Sequence, residues 1–172
     1  MNNKKKLILR AIFLITPLIF LSFFHLEIQL FHEVFFLQVA YLLNLLGIKF
    51  HTFGFHILIK NFSSIITFDC TGWKQFYIFC ILIFLPVGIK LSDRLKGLLF
   101  LIPLYFYNLF RVVITIYVGS ISYFWFKFVH YFLWNFLFLV LIFVFWFWWY
   151  QRKLIKKTRR KLPKAINSDT RS

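Results

Sequence analysis

The feature that most narrows what this chain can fold into is the alternation of long apolar runs with compact basic clusters. Leu7–Phe24, Trp73–Ile89, Gly97–Val118 and Phe128–Tyr150 carry almost no charge, whereas Lys4, Lys5, Lys6 and Arg10, the segment Lys90–Lys96 and the tail from Gln151 hold 14 of the 16 net positive charges. At 61% hydrophobic residues, the 172-residue chain is too apolar to be a water-soluble domain, which sits nearer about 45–50%. Basic residues confined to short segments beside apolar runs follow the positive-inside rule of membrane proteins. The same placement argues against nucleic acid as a partner, because a binding surface gathers its cations on one face.

The order of runs sets an expected topology. Leu7–Phe24 follows a basic start and lacks a small-residue cleavage site, which favours a retained helix entered from the cytoplasm. The stretch His25–Glu33 is polar enough to lie outside or among headgroups. Val34–Ile48, about 22 Å as a helix, is short for a ~30 Å hydrocarbon core and reads as interfacial, re-entrant or tilted. Phe53–Phe68 is rich in β-branched and aromatic residues, interrupted by Lys60-Asn61-Phe62-Ser63-Ser64. That pattern predicts a short hairpin or extended segment rather than a lipid-facing helix.

Trp73–Ile89 then runs inward to the basic loop Lys90–Lys96, and Gly97–Val118 runs back out. A loop follows from Gly119 to Lys127, and Phe128–Tyr150 runs inward, ending in an aromatic belt, Trp146-Phe147-Trp148-Trp149-Tyr150. The expected fold class is an all-α polytopic membrane protein with about 4–6 transmembrane helices and a short external hairpin or extended segment before the Cys motif. Residues 1–150 form one membrane-embedded domain and 151–172 a basic cytoplasmic tail, disordered from about Lys161. Both termini are cytoplasmic.

In such a chain the informative residues are those the bilayer penalises. Arg111 lies roughly 10 Å below the outer end of its helix, where an unpartnered arginine costs about 2.5–3.5 kcal/mol, so it should face the bundle interior. Asn108, three residues earlier, shares its face. His130 opens the last helix at similar depth, and Cys70 precedes the inward span in Asp69-Cys70-Thr71-Gly72. Read singly, each has a plain alternative: a snorkelling arginine, an interfacial histidine, a small hydrophobe. Cys80, set in an apolar run, reads as packing. The two cysteines, roughly 15 Å apart if they share a helix, predict neither a disulfide nor a zinc site, and nothing in the sequence calls for a metal or cofactor.

Topology brings Cys70, Arg111 and His130 to one leaflet. A thiol with an intrinsic pKa of about 8.5 is weakly ionised at neutral pH, and a nearby imidazole or guanidinium stabilises the thiolate. The histidine can return a proton to a leaving amine and the arginine can hold an oxyanion. Together they suggest cysteine acyl transfer. A hydrolase without transfer fits the same residues, and a non-catalytic transport or assembly protein with a polar Arg/His path is the reading from another class.

From Val34 to Phe147 the chain also resembles the exosortase/archaeosortase family of prokaryotic membrane transpeptidases. The shared pattern is an acidic residue before Cys-Ser/Thr-Gly, then Asn-x-x-Arg, then His. It is matched here by Asp69-Cys70-Thr71-Gly72, Asn108-Leu109-Phe110-Arg111 and His130, spaced 41 and 19 residues apart, with Leu42-Leu43-Asn44-Leu45-Leu46-Gly47 upstream. The chain is shorter than typical members, and Trp73-Lys74 departs from many relatives. The resemblance implies an enzyme of the plasma membrane that recognises exported proteins by a C-terminal motif, apolar helix and basic cluster. It would cleave them at the external face through a Cys70 thioester and pass the acyl group to a lipid or envelope acceptor. In this reading Cys70 is the nucleophile, His130 the acid/base and Arg111 the oxyanion or orienting group. Asn108 and Asp69 give support, with Asp69 expected to orient His130 or Arg111.

Overall fold

The computed structural model describes residues 3–23 and 28–161 and is mostly helical. In chain order it has α1 (Asn3–Phe23), α2 (Gln29–Leu45), strands β1 (His51–Phe53), β2 (His56–Ile59) and β3 (Phe62–Ile65), and a 3₁₀ turn at Phe68–Thr71. These are followed by α3 (Trp73–Phe84), α4 (Leu91–Leu98), α5 (Leu101–Ile121), α6 (Tyr123–Lys127), a π-helical turn at Phe128–Leu133 and α7 (Trp134–Lys161). Two stretches, Leu91–Ile121 and Tyr123–Lys153, each 31 residues, are long and apolar enough to cross a membrane.

The interior divides into two layers strung along α5. At one end, Leu109, Val112, Val113 and Ile116 pack against Phe35, Val39 and Leu43 of α2 and Ile57 and Ile59 of β2. At the other, Leu104 joins Phe79 and Ile83 of α3 and Phe138, Ile142 and Trp149 of α7. α5 is apolar on both sides, with three polar side chains set among its buried apolar residues. Its buried face carries Asn108, Arg111 and Thr115, while Phe106, Phe110, Ile114, Tyr117 and Ile121 are exposed along the opposite stripe.

The expected extended segment is a three-stranded antiparallel sheet, ordered β1-β2-β3, with Phe53 opposite His56 and Ile59 opposite Phe62. Two-residue turns join the strands. The second turn places Lys60 at φ 52°, the positive φ that tight hairpin turns require and that a non-glycine residue adopts at some cost. Ile57 and Ile59 face the core while Leu58 points away, the alternation of a half-buried strand. Phe62 pins β3 to α5, where its ring occupies the space beside Gly119 that any Cβ would enter, at 2.3 Å.

Several expected boundaries shift. The span Trp73–Ile89 ends as a helix at Phe84, because Pro86 cannot continue the backbone ladder and Gly88 turns the chain at φ 85°. Lys90–Lys96 is not a solvent loop: Leu91–Leu98 is helical and Arg94 is buried, only 5% exposed. The loop Gly119–Lys127 reduces to Ser122, in extended conformation between α5 and α6. The last helix continues past Tyr150 to Lys161, so the first eleven residues of the basic tail prolong it. Gln29–Glu33 belongs to α2. The expectations for His25 and Glu27 and for residues 162–172 fall outside the described residues.

Candidate active site

Cys70 lies on the 3₁₀ turn between the sheet and α3. Its backbone N–H donates to the Thr67 carbonyl at 2.9 Å, and the buried Thr71 hydroxyl donates to the Phe68 carbonyl at 2.7 Å. Gly72 ends the turn at φ 77°, a conformation that an L side chain adopts poorly. A Cβ there would also approach the Asn108 side chain to 2.9 Å. That vacancy lets Asn108, fully buried on α5, donate its Nδ2–H to the Cys70 carbonyl at 2.9 Å. Thr71, Gly72 and Asn108 thus share one task, fixing the cysteine turn to the helix that carries Arg111.

Cys70, Arg111 and His130 line a single cleft of about 440 Å³. Arg111, 6% exposed, lies one turn beyond Asn108, with its guanidinium 5.9 Å from the centre of the Phe138 ring. His130 stands in the π-helical turn, a local widening of the helix that recurs at functional sites. Phe126 stacks on its ring at 5.4 Å and Tyr131 meets it edge-on at 5.0 Å, so the imidazole is held between aromatic faces.

Asp69 is not where the sequence suggested. It is exposed, accepts from Lys74 Nζ at 2.9 and 3.0 Å and from Trp73 Nε1 at 3.3 Å, and touches neither Arg111 nor His130. The reason is local: with Gly72 turning the chain into α3, residues 73 and 74 are the nearest donors to the Asp69 carboxylate. Cys80 lies on α3 and is no part of the cleft lining.

Three contributors went unread in the sequence. Thr67, whose Oγ1 lies 3.5 Å from the Cys70 thiol, occupies the N-cap position of the turn, and a threonine three residues before the cysteine is a legible signal for that place. His32, buried on α2, donates Nε2–H to the Ile66 carbonyl at 2.8 Å and stacks on Phe55, anchoring the end of the sheet beside the cleft. Strand β3, through Phe62–Ile65 and on to Thr67, forms one wall. Comparison of the chain with protein-family models, curated proteins and solved structures found no match.

Proposed function

We propose that this protein is a membrane cysteine transpeptidase of the exosortase/archaeosortase kind, with its cleft at the external face of a prokaryotic plasma membrane. The observation that carries the reading is the convergence of Cys70, Arg111 and His130, from three separate segments, on one cleft. A lipid surround is supported by the exposed apolar stripe of α5 and by the two 31-residue apolar stretches. The sidedness rests on basic residues gathered at the end opposite the cleft, where Lys96, Arg152 and Lys153 cluster around Trp148 and Trp149.

In this reading the Cys70 thiolate attacks a peptide carbonyl carbon. A C–S bond forms, and the carbonyl electron pair moves to oxygen, where the Arg111 guanidinium balances its charge. Collapse re-forms the carbonyl and breaks the C–N bond as the His130 imidazolium gives its proton to the departing amine. The resulting thioester is attacked by a nucleophilic acceptor, a lipid or another envelope component, whose proton passes to His130. The thiolate is then regenerated. Thr67 and Asn108 are positioning residues, holding the thiol and its turn in place.

The test uses cells that carry an exported, tagged protein ending in a short motif, an apolar helix and a basic cluster. Mass spectrometry reads the processed C-terminus. Cleavage with an added acceptor mass, lost in Cys70→Ala and retained in Cys80→Ala, is the expected result. A bare carboxylate would reduce the activity to hydrolysis, and processing that survives Cys70→Ala would sink the assignment.

A further inference from the structure

The cleft is walled on one side by a sheet edge, and that edge has unused main-chain groups. Ile66 N–H donates to the Phe55 carbonyl, and the register pairs Ser64 with Ile57 and Phe62 with Ile59. In an antiparallel ladder the residues that exchange hydrogen bonds with a partner alternate with residues that point the other way. Phe62, Ser64 and Ile66 therefore bond to β2, and the N–H and C=O groups of Ser63 and Ile65 point outward. Because β3 ends the strand order, no neighbouring strand among the described residues meets them. Beyond Ile65 the chain stays extended at Thr67, which leads directly to the thiol.

Exposed edges usually carry a lysine, a proline or a bulge that blocks strand addition. Phe62-Ser63-Ser64-Ile65-Ile66-Thr67 has none of these within it, Lys60 lying in the turn that precedes it, and the opposite edge, β1, is only three residues long. The open edge does not face free solvent. Tyr123, Phe126, His130 and Tyr131 line the same cleft and form its far wall. At its Phe62 end the cleft is closed by the Phe126 ring, 5.2 Å away centre to centre, so this walled space of about 440 Å³ suits one short extended chain rather than the edge of a second folded sheet. Six residues of extended chain from Phe62 to Thr67 run about 20 Å.

We infer that β3 is a docking strand: an extended polypeptide adds to its free edge as a fourth strand, pinned by main-chain hydrogen bonds at Ser63 and Ile65, which delivers its next residues to Cys70. The inference deepens the transpeptidase reading by naming the form in which substrate is bound. Recognition of this kind takes its affinity from the peptide main chain and tolerates many side chains. Aromatic groups of the far wall, Tyr123, Phe126 and Tyr131, would then meet every second side chain of the guest.

The test separates docking from chemistry by using the full-length Cys70→Ala chain in detergent micelles. The probe is a biotinylated hexapeptide of alternating Val and Thr with one central photoreactive leucine, together with a set in which each amide in turn is N-methylated. Crosslinks should map to Phe62–Thr67. N-methylation should lower their yield by about tenfold or more at alternate amides and leave the amides between them unaffected. Ser63→Pro should cause the same loss, because it removes an outward N–H, while Thr52→Pro on the far edge should not. The N-methyl series decides the matter on unaltered β3 if the proline variant misfolds. Crosslinks that are absent, that map away from β3, that join β3 of two copies, or that respond equally at every amide overturn the inference. Normal crosslinking with an inert Cys70 in the wild-type chain would sink the transpeptidase reading alone.

Discussion

Arg94 and Arg111 are buried to the same degree, 5% and 6% exposed, yet they do different things. Arg94 is enclosed by backbone carbonyls. It donates to Ile83 at 3.1 Å and Ile89 at 3.3 Å, and also to Phe84 and Pro86. The Ile83 and Phe84 carbonyls are released where α3 stops before Pro86, and those of Pro86 and Ile89 belong to the connection into α4, so the guanidinium serves as a C-terminal cap for a helix cut short. Arg111 faces a cleft shared with a thiol and an imidazole. Burial alone therefore does not mark a functional arginine. What separates the two is that Arg94 donates to four backbone carbonyls, whereas Arg111 lines a cleft beside a thiol and an imidazole.

That contrast can be broken most sharply at Arg111. Replacement by Met removes the charge but keeps much of the side chain's length and its contact with the Phe138 ring. Arg111→Met should therefore keep its thermal midpoint in detergent while processing falls by about 10²–10³-fold, the range for loss of one oxyanion donor. A fall in midpoint matching the loss of activity would make Arg111 structural, like Arg94. Arg94→Ala should do the reverse. It strands several buried carbonyls and should destabilise the fold by about 2–4 kcal/mol, read as a lowered midpoint, while protein that remains folded alkylates at Cys70 at the normal rate.

Gly72→Ala probes the link between the two sides of the site. The positive φ and the Asn108 contact together should lower stability by about 1–3 kcal/mol, and Gly72→Ala paired with Asn108→Ala should recover part of that loss in a double-mutant cycle. Asp69→Asn should have the smallest effect. Its ion pair with Lys74 is exposed, so the expected change in stability is at most about 0.5 kcal/mol, with processing close to wild type. A large loss of activity in Asp69→Asn would restore the orienting role that its position in the structure withholds.

Much of the molecule is legible in the residue order. The extended segment before the cysteine could be read because Lys60-Asn61 and Ser63-Ser64 interrupt a β-branched stretch, and the sheet forms there. The early stop of α3 was equally legible in Leu85-Pro86-Val87-Gly88, but the apolar run around it masked the break. Arg94 reads in the sequence as one of the charges that mark a loop, because local sequence gives no sign that a helix end ten residues upstream requires its donors.

By itself the sequence determined the apolar stretches, the basic segments beside them and the order of Cys70, Arg111 and His130, because these follow from composition and spacing along one dimension. Tertiary structure decided the rest: that the three residues share a cleft, that Asp69 turns away to Lys74, that Asn108 seats itself against Gly72, and that β3 leaves its outer edge open beside the thiol. The physical reason is that each of these depends on which groups the packing of α2, the sheet, α5 and the π-helical turn brings within a few ångströms of one another. Hydrogen bonds and steric fit act at that range and have no local signature in the chain.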